Sequence, residues 1–249
     1  MPGFPVEIAV QDAAGVRIAL EAGATRVELC QALGLGGLTP SPGFVETAVE
    51  LARAASARSF VQVLVRPRGG GFVYEPDEID TIVRDIRFAR SLGADGVVVG
   101  ALTDAGALDL SAIAAFLDAA DGLEVTVHRA VDAASDPLAS VVSLVGSGVR
   151  RVLTSGGAAA CRDGRDMLSA MVAGVRGELE VMAGGGVGIR DIASLAGVGI
   201  DAVHLSARHR ASRGGPSGPG GGDTGFDATD AAMVADAVAA AGQCGDTDR

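Results

Sequence analysis

The sequence predicts an α/β protein, a single-domain (β/α)8 TIM barrel spanning residues 1–249, and three observations carry that reading. Eight short runs rich in β-branched residues alternate with stretches of helical periodicity along nearly the whole chain. Four of the connections, LEAGATRVEL, RSLGADGVVV, VGSGVRRVLT and AGVGIDAVHL, close a helix on glycine and enter a strand, as a left-handed glycine after a helix end requires. The composition, 48% apolar but only 3% aromatic and without Trp, suits a core of Val, Leu, Ile and Ala between parallel strands and covering helices.

Taken in order, the first strand is Val6–Val10, followed by a helix over Asp12–Ala22. Strand Arg26–Cys30 leads through a loop to helix Pro42–Ala55, and strand Val61–Val65 to helix Glu78–Leu92. Strand Gly96–Gly100 precedes helix Leu110–Ala119. Strand Glu124–His128 precedes helix Pro137–Val145, where Asp136 caps and Pro137 occupies the first turn. Strand Arg151–Ser155 feeds helix Arg162–Ala173, and strand Glu180–Gly184 feeds helix Ile189–Leu195. Strand Asp201–Ser206 and helix Ala228–Ala240 complete the ring. The Gly/Pro-rich stretch 212–225 reads as a mobile loop and the tail 243–249 as frayed.

All 20 basic residues are Arg; there is no Lys and no Asn. Without an ε-amine, Schiff-base aldolase chemistry, lysine-anchored pyridoxal phosphate and Walker-type nucleotide binding are excluded, and no NAD is expected either. Side-chain amides come only from Gln11, Gln31, Gln62 and Gln243. A net charge of −11 and scarce aromatics argue against a nucleic-acid partner. No apolar run reaches the roughly 18 residues of a membrane span, and the N-terminus lacks a signal-peptide pattern. Three scattered cysteines suit a reducing cytoplasm better than a disulfide framework.

Sites in this architecture gather where strands end at the C-terminal mouth of the barrel, and strand parity selects the side chains that point inward. Glu7, Glu28 with Cys30, Gln62 with Arg66 and Arg68, Thr126 with His128, and His204 with Ser206 and Arg208 share such faces. As proton-transfer groups the candidates are Glu7, Glu28 and His128; as anion clamps, Arg66, Arg68 and Arg129. The turns TSGG, with Thr154, Ser155 and Gly156, and AGGGV, with Gly185 and Gly186, bring backbone N–H groups near an anion, and Ser206 completes the cradle. A network in which Glu7, Glu28, Arg66 and Arg129 neutralise one another would fill the barrel with no ligand. No HxH, HExxH or paired CxxC spacing occurs, so a dedicated zinc site is not expected.

The strings RVELC, GGLTPS, RPRGGGFVY, DIRFARSLGADGVVVGALTDAG, HRAVD, RVLTSGG, MAGGGV and SAR, in order over roughly residues 6–208, resemble the CutC copper homeostasis family. That resemblance implies a cytoplasmic, commonly homo-oligomeric barrel with a role in copper homeostasis and copper ion binding, with Cys30 matching a proposed copper-binding cysteine. A second family cysteine is replaced by Ala9, which leaves one thiolate for a soft metal that prefers several. Two functions follow: copper binding at Cys30, or metal-independent enzymatic action on a small anionic or phosphorylated metabolite at the mouth.

Overall fold

The computed structural model describes residues 3–212 and 225–246. Eight parallel strands close a barrel in sequential order: β1 (Val6–Val10), β2 (Arg26–Leu29), β3 (Val61–Leu64), β4 (Gly96–Val99), β5 (Glu124–Val127), β6 (Arg151–Thr154), β7 (Glu180–Gly184) and β8 (Ala202–Leu205). Outside run the helices α1 (Ala13–Ala22), α2 (Pro42–Ala54), α3 (Pro76–Leu92), α4 (Leu110–Ala120), α5 (Pro137–Val142), α6 (Arg165–Val175), α7 (Ile192–Ala196) and α8 (Ala231–Gly242). The TIM-barrel expectation holds, and each predicted strand overlaps an observed one to within a residue at either end.

The local causes are those the sequence advertised. Asp12 accepts from the Gly15 amide at 2.8 Å and Asp136 from the Ala139 amide at 2.9 Å, capping α1 and α5. The glycines of the four repeated connections, Gly23, Gly93, Gly148 and Gly199, all have φ between 79° and 100°. Polar residues in the same connections tie strand starts together: Thr25 Oγ1 accepts from Val6 N, and the Asp95 carboxylate from Phe60 N and Val61 N. Outward strand residues such as Ile8, Val27, Val63, Val97 and Val203 are fully or almost fully buried against the helices.

Three differences matter. The expected helix over Ile189–Leu195 is a single 3₁₀ turn, Ile189–Asp191, followed by the five-residue α7. It is too short to supply a dipole for the glycine turn before it. An unpredicted antiparallel hairpin, β9 (Arg208–Ser212) and β10 (Gly225–Thr229), rises at the mouth after β8. Its strands hold the two ends of the Gly/Pro-rich stretch expected to be a mobile loop, the remainder of which lies outside the described residues. The same is true of residues 247–249 of the tail expected to fray, whereas Gln243–Asp246 form a 3₁₀ turn. Among the described residues no helix is long and apolar enough to cross a membrane.

Inside the barrel, side chains stack in layers. Glu124, Gln62, Arg151 and Glu180 plug the N-terminal end, with Arg151 Nη2 at 2.8 Å from Glu180 and 3.4 Å from Glu124. At the opposite end Ala9, Cys30, Leu64 and Val98 form a small apolar cluster. Between these ends lie charged residues that set the chemistry of the mouth.

Candidate functional site

The mouth holds a cavity of about 490 Å³. Charged and polar groups from different strands converge on it: Glu28, Arg66, His128, Arg129, His204, Ser206 and Arg208, with Gly185–Gly188 along one side.

Strand register builds its centre. Glu7 on β1 stands level with Arg26 on β2 and with His204 on β8, so the three lie in one row across adjacent strands. Arg26 Nε reaches Glu7 Oε2 at 2.6 Å, and His204 Nδ1 lies 2.8 Å from Glu7 Oε1. Each carboxylate oxygen thus has its own partner. Glu28 sits one layer higher, level with Ala9, and its Oε2 lies 3.9 Å from His204 Nε2. One ring nitrogen of His204 is held by Glu7, and the other is presented to Glu28.

The electrostatics separate the two carboxyls. Burial pushes Glu7 upward, but Arg26 and the His204 hydrogen bond outweigh it and hold Glu7 at about 2. Burial also pushes Glu28 upward; His204 opposes this, the charge on Glu7 adds to it, and the carboxyl reaches about 7. For His204, burial disfavours the imidazolium, yet Glu28 and Glu7 together raise its pKa above the ordinary value. The row therefore joins a fixed anion, an imidazole whose charged form both carboxylates favour, and a carboxyl free to gain or lose a proton near neutral pH.

His128 behaves oppositely. Burial first and the neighbouring Arg66 guanidinium second depress it to about 3, so it is a neutral imidazole. Its Nδ1 accepts from the Ala130 amide at 3.1 Å, which places the ring proton on Nε2.

Several expected residues stand elsewhere. Glu7 shares the interior face as parity required, but it lies beneath the cavity and does not line it. Arg68 pairs with Glu78 away from the cavity. Arg66 lines the cavity but spends both terminal nitrogens on carbonyls, those of Leu35 and Gly37 at 3.2 Å and Gly70 at 2.6 Å, over the Phe72 ring. Its role in the described chain is to pin loops. The neutralising network imagined from the sequence does not form, because Glu7 pairs with Arg26, and Arg129 with Asp132 at 2.8 Å.

The TSGG turn does receive an anion, and that anion is Asp132 of the same chain. Its carboxylate accepts from Thr154 Oγ1 at 2.6 Å, Ser155 N at 3.0 Å, Ser155 Oγ at 2.9 Å and Gly157 N at 3.0 Å. Thr154 is fully buried, and Gly156 N turns to its hydroxyl at 3.0 Å. Thr154, Ser155 and Gly156 are thus committed internally. The second glycine turn is different: Gly185, Gly186 and Val187 border the cavity. Gly185 has φ 109°, and a Cβ there would lie 2.7 Å from the Arg129 guanidinium. Ser206 and Arg208 complete this wall, with Arg208 Nη1 held 2.8 Å from Asp227 on the hairpin.

Cys30 does not present a metal site. Its thiol points to the Val10 carbonyl at 3.6 Å within the Ala9, Leu64, Val98 cluster, and burial, helped by the charge on Glu28 and opposed by Arg208, raises its pKa far above the ordinary value. Among the described residues no group of three or more His, Cys, Asp or Glu side chains is arranged to hold a metal ion. The donors present do not fit a Cu(I) site.

Sequence reasoning left Arg26, His204 and Asp132 unassigned. Arg26 shares its parity with Glu28, and His204 sits on an inward face, so both carried a readable signal; Asp132 lies in a turn that no periodicity marks.

Comparison with known proteins places these residues in context. The CutC family model matches residues 4–209. A CutC family protein from Pasteurella multocida is 38% identical over 204 residues, 82% of each chain. One from Porphyromonas gingivalis strain W83 is 42% identical over 206 residues, 82% of this chain and 81% of its own. The crystal structure of a CutC from Streptococcus agalactiae, described as a copper homeostasis protein, superposes with TM-score 0.76 at 31% identity, covering 82% of this chain and 98% of that one. Thiamine phosphate pyrophosphorylase from Pyrococcus furiosus, at TM-score 0.61 and 16% identity over 97% of this chain and 96% of its own, shares the fold.

Proposed function

The chain belongs to the CutC family, and from that premise we propose that it is an enzyme that binds a small anionic metabolite, phosphorylated or carboxylated, at the barrel mouth and moves a proton on it without a metal. One observation carries this reading: a carboxyl held at about 7, Glu28, shares a cavity with an imidazole, His204, whose other nitrogen is locked by a buried carboxylate. Burial together with a specific charged partner at a cleft is the arrangement that tunes a carboxyl for proton transfer.

In this reading the amides of Gly185, Gly186 and Val187, the Ser206 hydroxyl and Arg208 seat the anionic group at the wall formed after β7 and β8, where barrels commonly bind phosphate. Glu28 takes and returns the proton, His204 stabilises negative charge that develops beside it, and Glu7 with Arg26 fixes the imidazole. Arg129, braced by Asp132, adds a cation at the rim.

Copper handling comes from the description of the streptococcal relative, and Cys30 is the residue here that would favour it. The two readings separate in one calorimetric series. Inorganic phosphate and three- to six-carbon sugar phosphates are expected to bind at millimolar or lower concentration and to bind more weakly to Arg208→Gln. Absence of binding by all of them, together with Cu(I) binding lost in Cys30→Ser, would replace the enzyme reading by the copper reading.

A further inference from the structure

Across the barrel from the Glu7, Glu28 and His204 group, on β5, stands a second feature that the proton-transfer row does not use. β1 lies between β8 and β2 in the ring, so β5 is diametrically opposite it. His128 closes β5 at the cavity wall. Its ring is held from several directions: the Ala130 amide donates to Nδ1, the Phe72 ring packs at 5.0 Å, and Gly100 at the end of β4 leaves the space it occupies. A Cβ on Gly100 would sit 2.6 Å from the ring atoms. The residue is 6% exposed, yet its Nε2–H has no partner among the described residues.

A buried donor without an acceptor costs about as much as a lost hydrogen bond, and native structures rarely keep one idle. Protonation cannot resolve it, since Nδ1 is already an acceptor and Arg66 lies alongside. His128 borders the cavity, which is the side from which a partner outside the chain approaches the ring. That partner must be an oxygen that accepts, because Nε2 can only donate in this tautomer.

We propose that His128 is the specificity-determining hydrogen-bond donor of the site: its Nε2–H binds a carbonyl or hydroxyl oxygen of the substrate. This rests on the anion-binding reading above and narrows it. The substrate class becomes an oxygenated, short-chain phosphate ester or carboxylate, anionic at the β7–β8 wall and oxygen-bearing toward β5. Where that oxygen is a carbonyl, the layout fits enolisation. Glu28 removes the adjacent C–H proton, the C–H electron pair becomes the new C=C bond, and the carbonyl π pair moves onto the oxygen that His128 holds. Reprotonation by Glu28 at the same carbon closes the cycle with no co-reactant, and where that carbon bears a hydroxyl, passage of the hydroxyl proton to the oxygen held by His128 lets Glu28 return its proton to the neighbouring carbon instead. A neutral imidazole is the better donor to such an oxygen than an imidazolium that would surrender its proton outright.

The test compares dihydroxyacetone phosphate with n-propyl phosphate, which has the same charge and length but no oxygen on the chain. The wild type is expected to bind the first at least about tenfold more tightly, the factor equivalent to ~1.4 kcal/mol. His128→Phe is expected to erase that preference while leaving n-propyl phosphate affinity unchanged. Equal affinity of the wild type for both esters, or a preference that survives in His128→Phe, overturns the inference and leaves the anion reading standing. Failure of either ester to bind overturns both. Independently of any ligand, ¹⁵N spectra of histidine-labelled protein should show His128 as the neutral Nε2–H tautomer between pH 5 and 8, and an Nδ1–H or charged ring would refute the role.

Discussion

Replacing Glu28 by Gln isolates the electrostatic claim on which the proton chemistry depends. The carboxyl titrates near 7 in the folded protein against an ordinary value of 4.5. A carboxyl whose folded pKa is raised contributes fully at low pH, and that contribution is lost as pH climbs from the unfolded value through the folded one. A displacement of roughly 2.5 units at ~1.4 kcal/mol each sets an upper bound of about 3 kcal/mol lost between pH 4.5 and 8. His204, raised as well, loses its contribution as pH climbs above its ordinary value of 6.5, and removing the Glu28 charge weakens that dependence too. Glu28→Gln, which mimics the protonated side chain in size and polarity, should match the wild type in stability near pH 5. At pH 8.5 it should be more stable by about 2–3 kcal/mol. Urea unfolding at pH 5, 6, 7, 8 and 8.5 measures both curves. Parallel curves, or a variant less stable at pH 8.5, would show that Glu28 is an ordinary carboxylate and remove it as the proton-transfer group.

Other substitutions probe the surrounding structure. Glu7→Gln strips the partner from buried Arg26 and should cost about 3–5 kcal/mol in urea unfolding; it should also lower the His204 pKa, read by NMR titration. Asp132→Ala leaves the Thr154, Ser155 and Gly157 donors unanswered and should cost about 2–4 kcal/mol, and full stability in thermal melts would refute its role as the resident anion of that turn. Gly185→Ala forces a side chain into positive φ against Arg129 and should destabilise by about 1–3 kcal/mol while weakening phosphate binding in calorimetry. Cys30 and Cys161, both fully buried, should resist alkylation in native protein at pH 8 and react only after unfolding; rapid modification of Cys30 would contradict its placement.

The ring of strands and helices was legible because it rests on local signals: β-branched runs, capping aspartates and left-handed glycines recur at several of the connections. The β9–β10 hairpin was not, because RHRAS and GFDAT flank a glycine-rich stretch whose composition reads as loop, and their pairing is a tertiary event. For the site, parity correctly placed Glu7, Glu28 and His204 on inward faces. It could not place Glu7 below the cavity and Glu28 within it, since depth is set by the stagger between neighbouring strands, which aligns Glu7 with Arg26 and Ala9 with Glu28. Arg66 and Arg68 show the same limit. Their charge suggested a clamp for a ligand, whereas loop carbonyls and Glu78 claim them in the fold. The TSGG turn was read as a seat for a ligand anion, whereas in the fold its donors are taken by Asp132 of the same chain.

The most direct test of the proposed function is electron density from crystals soaked with dihydroxyacetone phosphate at neutral pH. The phosphate is expected within hydrogen-bond reach of the Gly186 and Val187 amides and Arg208, with the chain of the molecule passing Glu28 and an oxygen meeting His128 Nε2. Density at the Thr154–Gly157 turn with Asp132 displaced, or a mouth that stays free of ligand while solution binding is saturated, would contradict it.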